Sequence, residues 1–165
     1  MRKVLATLTT LCAMLAGLMA TAPQASAAVY GAPLYGSLDK NVCATPKGNG
    51  TANGTIITTW SCTGSDLQKW RWNGNSIVHS VSGKCLTPQG DDSNRNGAVL
   101  TLWTCSDAIS QAWVEDYTTG YSRIFSLDGG KCLTPKGNSF ANGSYLTIWT
   151  CDIYIQDVQA WSLYA

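Results

Sequence analysis

Gly130–Cys151 reads GKCLTPKGNSFANGSYLTIWTC. It opens on Gly-Lys-Cys, passes through Thr-Pro to an Asn-Gly pair, and closes on a β-branched and aromatic run ending Trp-Thr-Cys. The same plan recurs at Gly83–Cys105 (GKCLTPQGDDSNRNGAVLTLWTC) and, more loosely, at Asn41–Cys62 (NVCATPKGNGTANGTIITTWSC). Each copy is followed by Gln-x-Trp, at Gln68/Trp70, Gln111/Trp113 and Gln159/Trp161. Self-similarity at a fixed period marks a repeat architecture, so the chain is read as three copies of one unit of roughly 45 residues.

Within each unit the Asn-Gly glycine (Gly54, Gly97, Gly143) stands eight residues before the second cysteine. Asn-Gly is a strong hairpin signal because both residues tolerate positive φ. A turn there folds the chain back and carries the two cysteines of a unit toward each other. The run after the turn alternates. Leu100 and Leu102 share one parity, and Leu146 and Ile148 share the corresponding one. Ile57 and Thr59 take it in the looser first copy. Successive strand side chains face opposite sides, so this aliphatic parity is the expected core face. Trp60, Trp103 and Trp149 then project outward beside the cysteines, unless a bulge reverses the faces.

Trp70, Trp113 and Trp161 are expected in the core, since a small all-β domain needs large buried aromatics. Turns are expected at Asn73-Gly74 and Thr119-Gly120, with strands following at Ile77-Val78 and Ile124-Phe125. No helical period is visible after the leader. Propellers need four or more blades, so three units of about four strands each call for one closed threefold body.

Residues 1–27 read as a cleaved secretory signal. A basic start (Arg2, Lys3) precedes an apolar run, Val4–Met19, and Ala25-Ser26-Ala27 has the small-x-small pattern of a cleavage site. The run is too short for a spanning helix, and no second apolar stretch is long enough. Residues 28–165 then form a single domain, with repeats at about 34–76, 77–123 and 124–165. Of seven cysteines, Cys12 leaves with the leader. Six in an exported chain favour disulfides over metal or redox chemistry. The repeat pairs them as Cys43/Cys62, Cys85/Cys105 and Cys132/Cys151. No CxxC spacing suggests zinc. Without Arg2 and Lys3 there are nine basic against ten acidic residues and no basic stripe, so nucleic acid is not an expected partner.

The threefold set of Cys-x-Thr-Pro, Asn-Gly, Trp-x-Cys and Gln-x-Trp resembles the ricin-B-type lectin family, from about Leu34 to Tyr164. The resemblance implies a β-trefoil with three shallow pockets that binds carbohydrate, often galactose- or xylose-type, without chemistry on it; with the leader, the expected partner is an extracellular glycan or polysaccharide, and no cofactor is expected. Each family pocket uses an aspartate two residues after the first cysteine. It adds an aromatic two residues before the second cysteine, and an Asn-Gln pair ahead of the Gln-x-Trp tryptophan. Carried over, the aromatics are Trp60, Trp103 and Trp149, and the glutamines are Gln68, Gln111 and Gln159. The aspartate positions hold Thr45, Thr87 and Thr134, and the asparagine positions Leu67, Ser110 and Val158. A carboxylate accepts two charge-assisted hydroxyl bonds where threonine offers one neutral hydroxyl. The resemblance therefore implies a specificity altered from galactose.

Other motifs carry less. Asp92–Gly97 opens like a calcium loop, D-x-N-x-N-G, but the closing glutamate position is Trp103, so no metal is expected. Asn49, Asn53 and Asn142 begin glycosylation sequons that coincide with turns. A glycosidase needs two carboxylates across a cleft, and Glu115 is the sole glutamate. His79, the lone histidine, has no nucleophile at a recognisable spacing. The reading is a non-enzymatic carbohydrate binder. Its alternative is an extracellular scaffold holding a protein partner, as an inhibitor or envelope component. The oligomeric state is left open.

Overall fold

The computed structural model describes residues 29–36, 41–117, 121–152, 154 and 156–163. The expected leader and the Thr119-Gly120 turn lie outside the described residues. The chain enters through β1 (Ala32–Pro33) and β2 (Tyr35–Gly36) and continues as β3 (Val42–Pro46), β4 (Ile57–Ser61) and β5 (Lys69–Asn73). The second unit holds β6 (Ser76–His79), β7 (Cys85–Pro88), β8 (Leu100–Trp103) and β9 (Trp113–Asp116). The third holds β10 (Arg123–Ser126), β11 (Lys131–Pro135), β12 (Leu146–Thr150) and β13 (Trp161–Ser162). With β2 counted in the first unit, each repeat supplies four strands. The fold is an all-β trefoil.

The sheets do not coincide with the sequence repeats. Each joins the last strand of one unit to the first three of the next: β5-β6-β7-β8, with β1 on its edge, then β9-β10-β11-β12, then β13-β2-β3-β4. The third sheet closes the ring by setting Trp161 opposite Gly36. A Cβ on Gly36 would lie 2.5 Å from Cη2 of the fully buried Trp161, so glycine is what lets the two chain ends meet.

The alternation orders the interior. Ile57, Leu100, Leu102, Leu146 and Ile148 are fully buried, as is Thr59 in the looser copy. Trp70, Trp113 and Trp161 join them with Leu34, Ile77, Leu86, Ile124 and Leu133 in one core. The indole N–H of Trp70 donates to Ala44 O and that of Trp113 to Leu86 O, both at 3.0 Å. Such pairing keeps a buried tryptophan satisfied. Trp161 departs from the pattern and donates to Val158 O at 3.3 Å. In this unit the cysteine-to-glutamine spacing is eight residues instead of six. One turn of helix, α1 (Gln156–Gln159), replaces the tighter turns at Asp66–Gln68 and Ile109–Gln111.

The disulfides are Cys43–Cys62, Cys85–Cys105 and Cys132–Cys151, one inside each unit. The Asn-Gly turns do something different from what the sequence suggests. They do not simply join the strands of their own unit. Each docks on the next: Gly54 N donates to Leu102 O, Gly97 N to Ile148 O and Gly143 N to Thr59 O, all at 2.8 Å. The asparagines reinforce the seam. Asn142 Oδ1 accepts from Ser61 N and Asn96 Oδ1 from Thr150 N, while Asn53 bonds Thr104 Oγ1. Unit one thus holds unit two, two holds three and three holds one. Only the glycine of each pair has positive φ (81°, 81° and 88°), which is the type II arrangement and not the twin left-handed turn that Asn-Gly suggested. The β5–β6 hairpin turns on Gly74-Asn75, one residue later than expected, since Asn73 pairs with Ser76.

Candidate functional site

Three surface cavities repeat around the trefoil, one for each outward tryptophan. Trp60, Trp103 and Trp149 are 44, 49 and 47% exposed, so one face of each indole is covered and the other meets solvent. Strand pairing sets each opposite the first cysteine of its unit, Cys43, Cys85 or Cys132. The covered side lies against the Asn-Gly turn of the preceding unit. A Cβ on Gly97 would come within 3.3 Å of the Trp149 ring, one on Gly54 within 3.8 Å of Trp103, and one on Gly143 within 3.9 Å of Trp60. Each platform is therefore seated by two units.

The opposite wall of each cavity is a tripeptide following the strand proline: Lys47-Gly48-Asn49, Gln89-Gly90-Asp91 and Lys136-Gly137-Asn138. Gly48, Gly90 and Gly137 have φ of 60°, 72° and 64°, and Asn49, Asp91 and Asn138 follow at 59°, 57° and 56°. Two left-handed residues in succession are costly for anything but glycine, asparagine or aspartate. Such strain collects at ligand clamps and switch regions. The signal was present in the sequence as a thrice-repeated Pro-x-Gly-Asn/Asp, and reading for hydrophobic period and cysteine spacing passes over it.

Thr45, Thr87 and Thr134 line the cavity floors and are almost wholly buried. Each hydroxyl donates to the carbonyl of its own cysteine, at 2.9–3.1 Å. Each also accepts from a glutamine Nε2 at 3.0 Å, from Gln68, Gln111 and Gln159 in turn. One oxygen lone pair is left on each threonine. Gln68 and Gln111 have nothing left, and among the described residues Gln159 keeps one oxygen lone pair. Gln68 donates its second N–H to Ser61 O and accepts from both Thr63 N and Thr63 Oγ1. Gln111 repeats this with Thr104 O, Ser106 N and Ser106 Oγ. Gln159 donates to Thr150 O and accepts from Asp152 N. These buried amides tie the loop after the second cysteine to the cavity floor.

Against known proteins, the model of the ricin-type β-trefoil lectin domain matches residues 34–113. Over that stretch, just under half of its length, the chain resembles that domain. A designed threefold-symmetric protein, ThreeFoil, superposes with a TM-score of 0.71 at 22% identity, over 81% of this chain and 96% of its own. The C-half of the earthworm R-type lectin, solved with GalNAc, superposes at 0.63 with 14% identity, over 79% of this chain and 95% of its own. An exo-β-1,3-galactanase from Clostridium thermocellum gives 0.69 at 25% identity, over 79% of this chain and 29% of the enzyme. Among curated sequences, the probable lipoprotein EnvE of Salmonella typhimurium is 46% identical over 44 residues. That match spans 27% of this chain and 25% of EnvE.

The three cavities differ. Those at Trp60 and Trp149 enclose about 400 and 380 Å³, that at Trp103 about 160 Å³. Beside the small one, Ser110 Oγ donates to Asp91 Oδ1 at 2.8 Å, a strut from the turn before β9 to the cavity wall. The first unit has Leu67 and Asn49 at those positions and forms no such strut. The Asp92–Gly97 loop has its groups engaged within the protein: Arg95 Nε pairs with Asp92 at 2.5 Å, and Ser93 Oγ donates to Asp128 at 2.6 Å. Among the described residues no cluster of potential metal ligands occurs.

His79 supports the first cavity from inside. It is fully buried beside Trp70, with ring centres 5.0 Å apart. Its Nε2 lies 3.1 Å from Leu67 O and its Nδ1 2.9 Å from Ser82 Oγ. A carbonyl can only accept, so Nε2 carries the proton and Nδ1 accepts from the serine. Burial lowers the His79 pKa from its ordinary 6.5, opposed by the bond to Leu67. The native state thus binds the proton less readily than the unfolded chain. The resulting stabilisation is complete above pH 6.5 and declines as pH falls from there toward the depressed native value. Melting temperature is expected to drop on acidification below pH 6.5, and His79→Gln to flatten that dependence. Parallel profiles for the two proteins would contradict this assignment.

Proposed function

We propose that this chain is a carbohydrate-binding module that takes glycans on Trp60, Trp103 and Trp149 and performs no reaction on them. The supporting observation is the threefold recurrence of a half-exposed indole facing a strained left-handed turn across a cavity of sugar-ring size. An indole is a flat apolar surface against which the C–H face of a pyranose can rest. Asn49, Asp91 and Asn138 stand opposite to bond ring hydroxyls, and Thr45, Thr87 and Thr134 each offer one oxygen lone pair from the floor. Gln68, Gln111 and Gln159 hold those threonines in place from beneath. With threonine at the family's aspartate position, the two-hydroxyl grip of a carboxylate is missing, so the preferred sugar differs from galactose. Linked weak sites raise avidity without new contacts.

The three disulfides and the EnvE resemblance favour action outside the cytoplasm, in the extracellular or envelope space. Among the described residues no helix is long and apolar enough to cross a membrane. The galactanase similarity covers under a third of that enzyme and supports no catalytic role here. A glycan array tests the reading, with binding expected on a restricted set of oligosaccharides. A blank array, together with recovery of a protein partner, would replace it with the scaffold reading.

A further inference from the structure

The threefold symmetry breaks in one concerted way. Two residues beyond the Asn-Gly glycine, the first two units carry Ile56 and Val99, and the third carries Tyr145. On the cavity wall, the first and third units carry Lys47 and Lys136, and the second carries Gln89 followed by Asp91. These differences converge. Lys47 Nζ lies 3.1 Å from Tyr145 Oη and 5.0 Å from its ring centre, and Lys136 Nζ lies 5.9 Å from the same centre. Lys47 lines the Trp60 cavity and Lys136 the Trp149 cavity, so the tyrosine stands between the two large sites.

Among the described residues neither lysine has a carboxylate within ion-pair distance; the recorded pairs are Lys69–Asp66, Arg95–Asp92 and Arg123–Asp116. Two ammonium groups gathered at one phenol with no counter-charge is an arrangement completed by an anion. The phenol oxygen accepts from Lys47, which leaves its own O–H proton to donate outward. An oxyanion placed there would meet the Lys47 ammonium and the phenol O–H, with the Lys136 charge over the same ring, and charge-assisted bonds of this kind exceed neutral ones by roughly twofold. The third cavity has the opposite sign, since Asp91 stands at its wall.

We propose that Lys47, Lys136 and Tyr145 form an anion seat joining the Trp60 and Trp149 cavities, so that the preferred ligand is an acidic polysaccharide. The inference rests on the carbohydrate reading above and adds its charge class. The seat receives a carboxylate or sulfate while the sugar rings on either side rest on the two indoles.

The test compares polygalacturonate with its full methyl ester, and a sulfated galactan with its desulfated form, by titration calorimetry at low and high salt. The acidic member of at least one pair should bind about tenfold more tightly at low salt, with the margin shrinking at high salt. Which pair shows the margin identifies carboxylate or sulfate. Lys47→Gln combined with Lys136→Gln should abolish the margin, so that the acidic and neutral members of each pair bind alike. Glutamine already stands at the equivalent position 89, so the fold accommodates it. Lys84→Gln with Lys131→Gln, a charge-matched control, should keep the margin. Equal binding of acidic and neutral forms, or a margin that survives the Lys47/Lys136 pair, overturns the anion seat and leaves the carbohydrate reading standing. Binding confined to phosphatidylglycerol vesicles also overturns the seat. Failure of every glycan overturns both.

Discussion

Replacing Trp60 and Trp149 together with alanine is expected to remove glycan binding at the two large cavities, leaving only the small Trp103 site, while the melting temperature falls by only a few degrees. Each indole has one solvent-facing side on which a pyranose can cover roughly three C–H groups. At about 0.8 kcal/mol per apolar carbon removed from water, one platform contributes roughly 2 kcal/mol. That is about a thirtyfold change in affinity per site, and for a polysaccharide that spans both cavities the double variant multiplies the two. The cost to the fold is small because these side chains lie outside the core and only their inner faces touch a neighbouring turn. Trp70→Ala is the contrasting control. It empties a fully buried volume, leaves Ala44 O without its donor, and should cost about 3–5 kcal/mol. Calorimetric titration beside thermal melts separates the two classes. Platform variants that melt as early as Trp70→Ala, or that bind unchanged, would remove the outward tryptophans from the site.

Reduction of the three disulfides is expected to unfold the domain at 37 °C. Each closes a loop of 19 or 20 residues, for which the chain-entropy account gives about 3 kcal/mol. Three such contributions are comparable to the whole stability of a typical domain, about 5–15 kcal/mol. The strands are short, from two to five residues, so little else restrains the loops between them. Urea melts of the oxidised and reduced protein measure the sum. Cys43→Ser with Cys62→Ser isolates one bridge, with an expected loss of about 3 kcal/mol. A loss below about 1 kcal/mol for that pair would mean that the seams between units, and not the bridges, hold the domain together.

Much of the fold could be read before the structure because the repeat supplied three trials of each inference. One alternating stretch is ambiguous. Three that agree place Leu100, Leu102, Leu146 and Ile148 inward and leave the tryptophans at 60, 103 and 149 outward. The cysteine pairs followed from one pair per unit. The seams were not legible, because nothing in Asn53-Gly54 names Leu102 as its acceptor; contacts between units depend on closure of the whole ring. The left-handed walls at Gly48-Asn49 and Gly137-Asn138 were present as letters but carry no hydrophobic period. For Gln68, Gln111 and Gln159 the residue type indicated hydrogen-bonding capacity and not its direction. Only the packed structure shows both faces of those amides turned toward the protein's own backbone and hydroxyls.

The seating of Trp60 on Gly143, Trp103 on Gly54 and Trp149 on Gly97 bears on how such a domain can be divided or assembled. A lone unit owns an indole but lacks the turn that backs it, and owns a turn with no indole to support. It therefore presents no finished cavity, whatever its own disulfide does. Three units in cyclic contact complete all three cavities at once. A symmetric trimer of single-unit chains would do so as well as one continuous chain. Separating all three units should then extinguish all three cavities together, and mixing the pieces should restore them together.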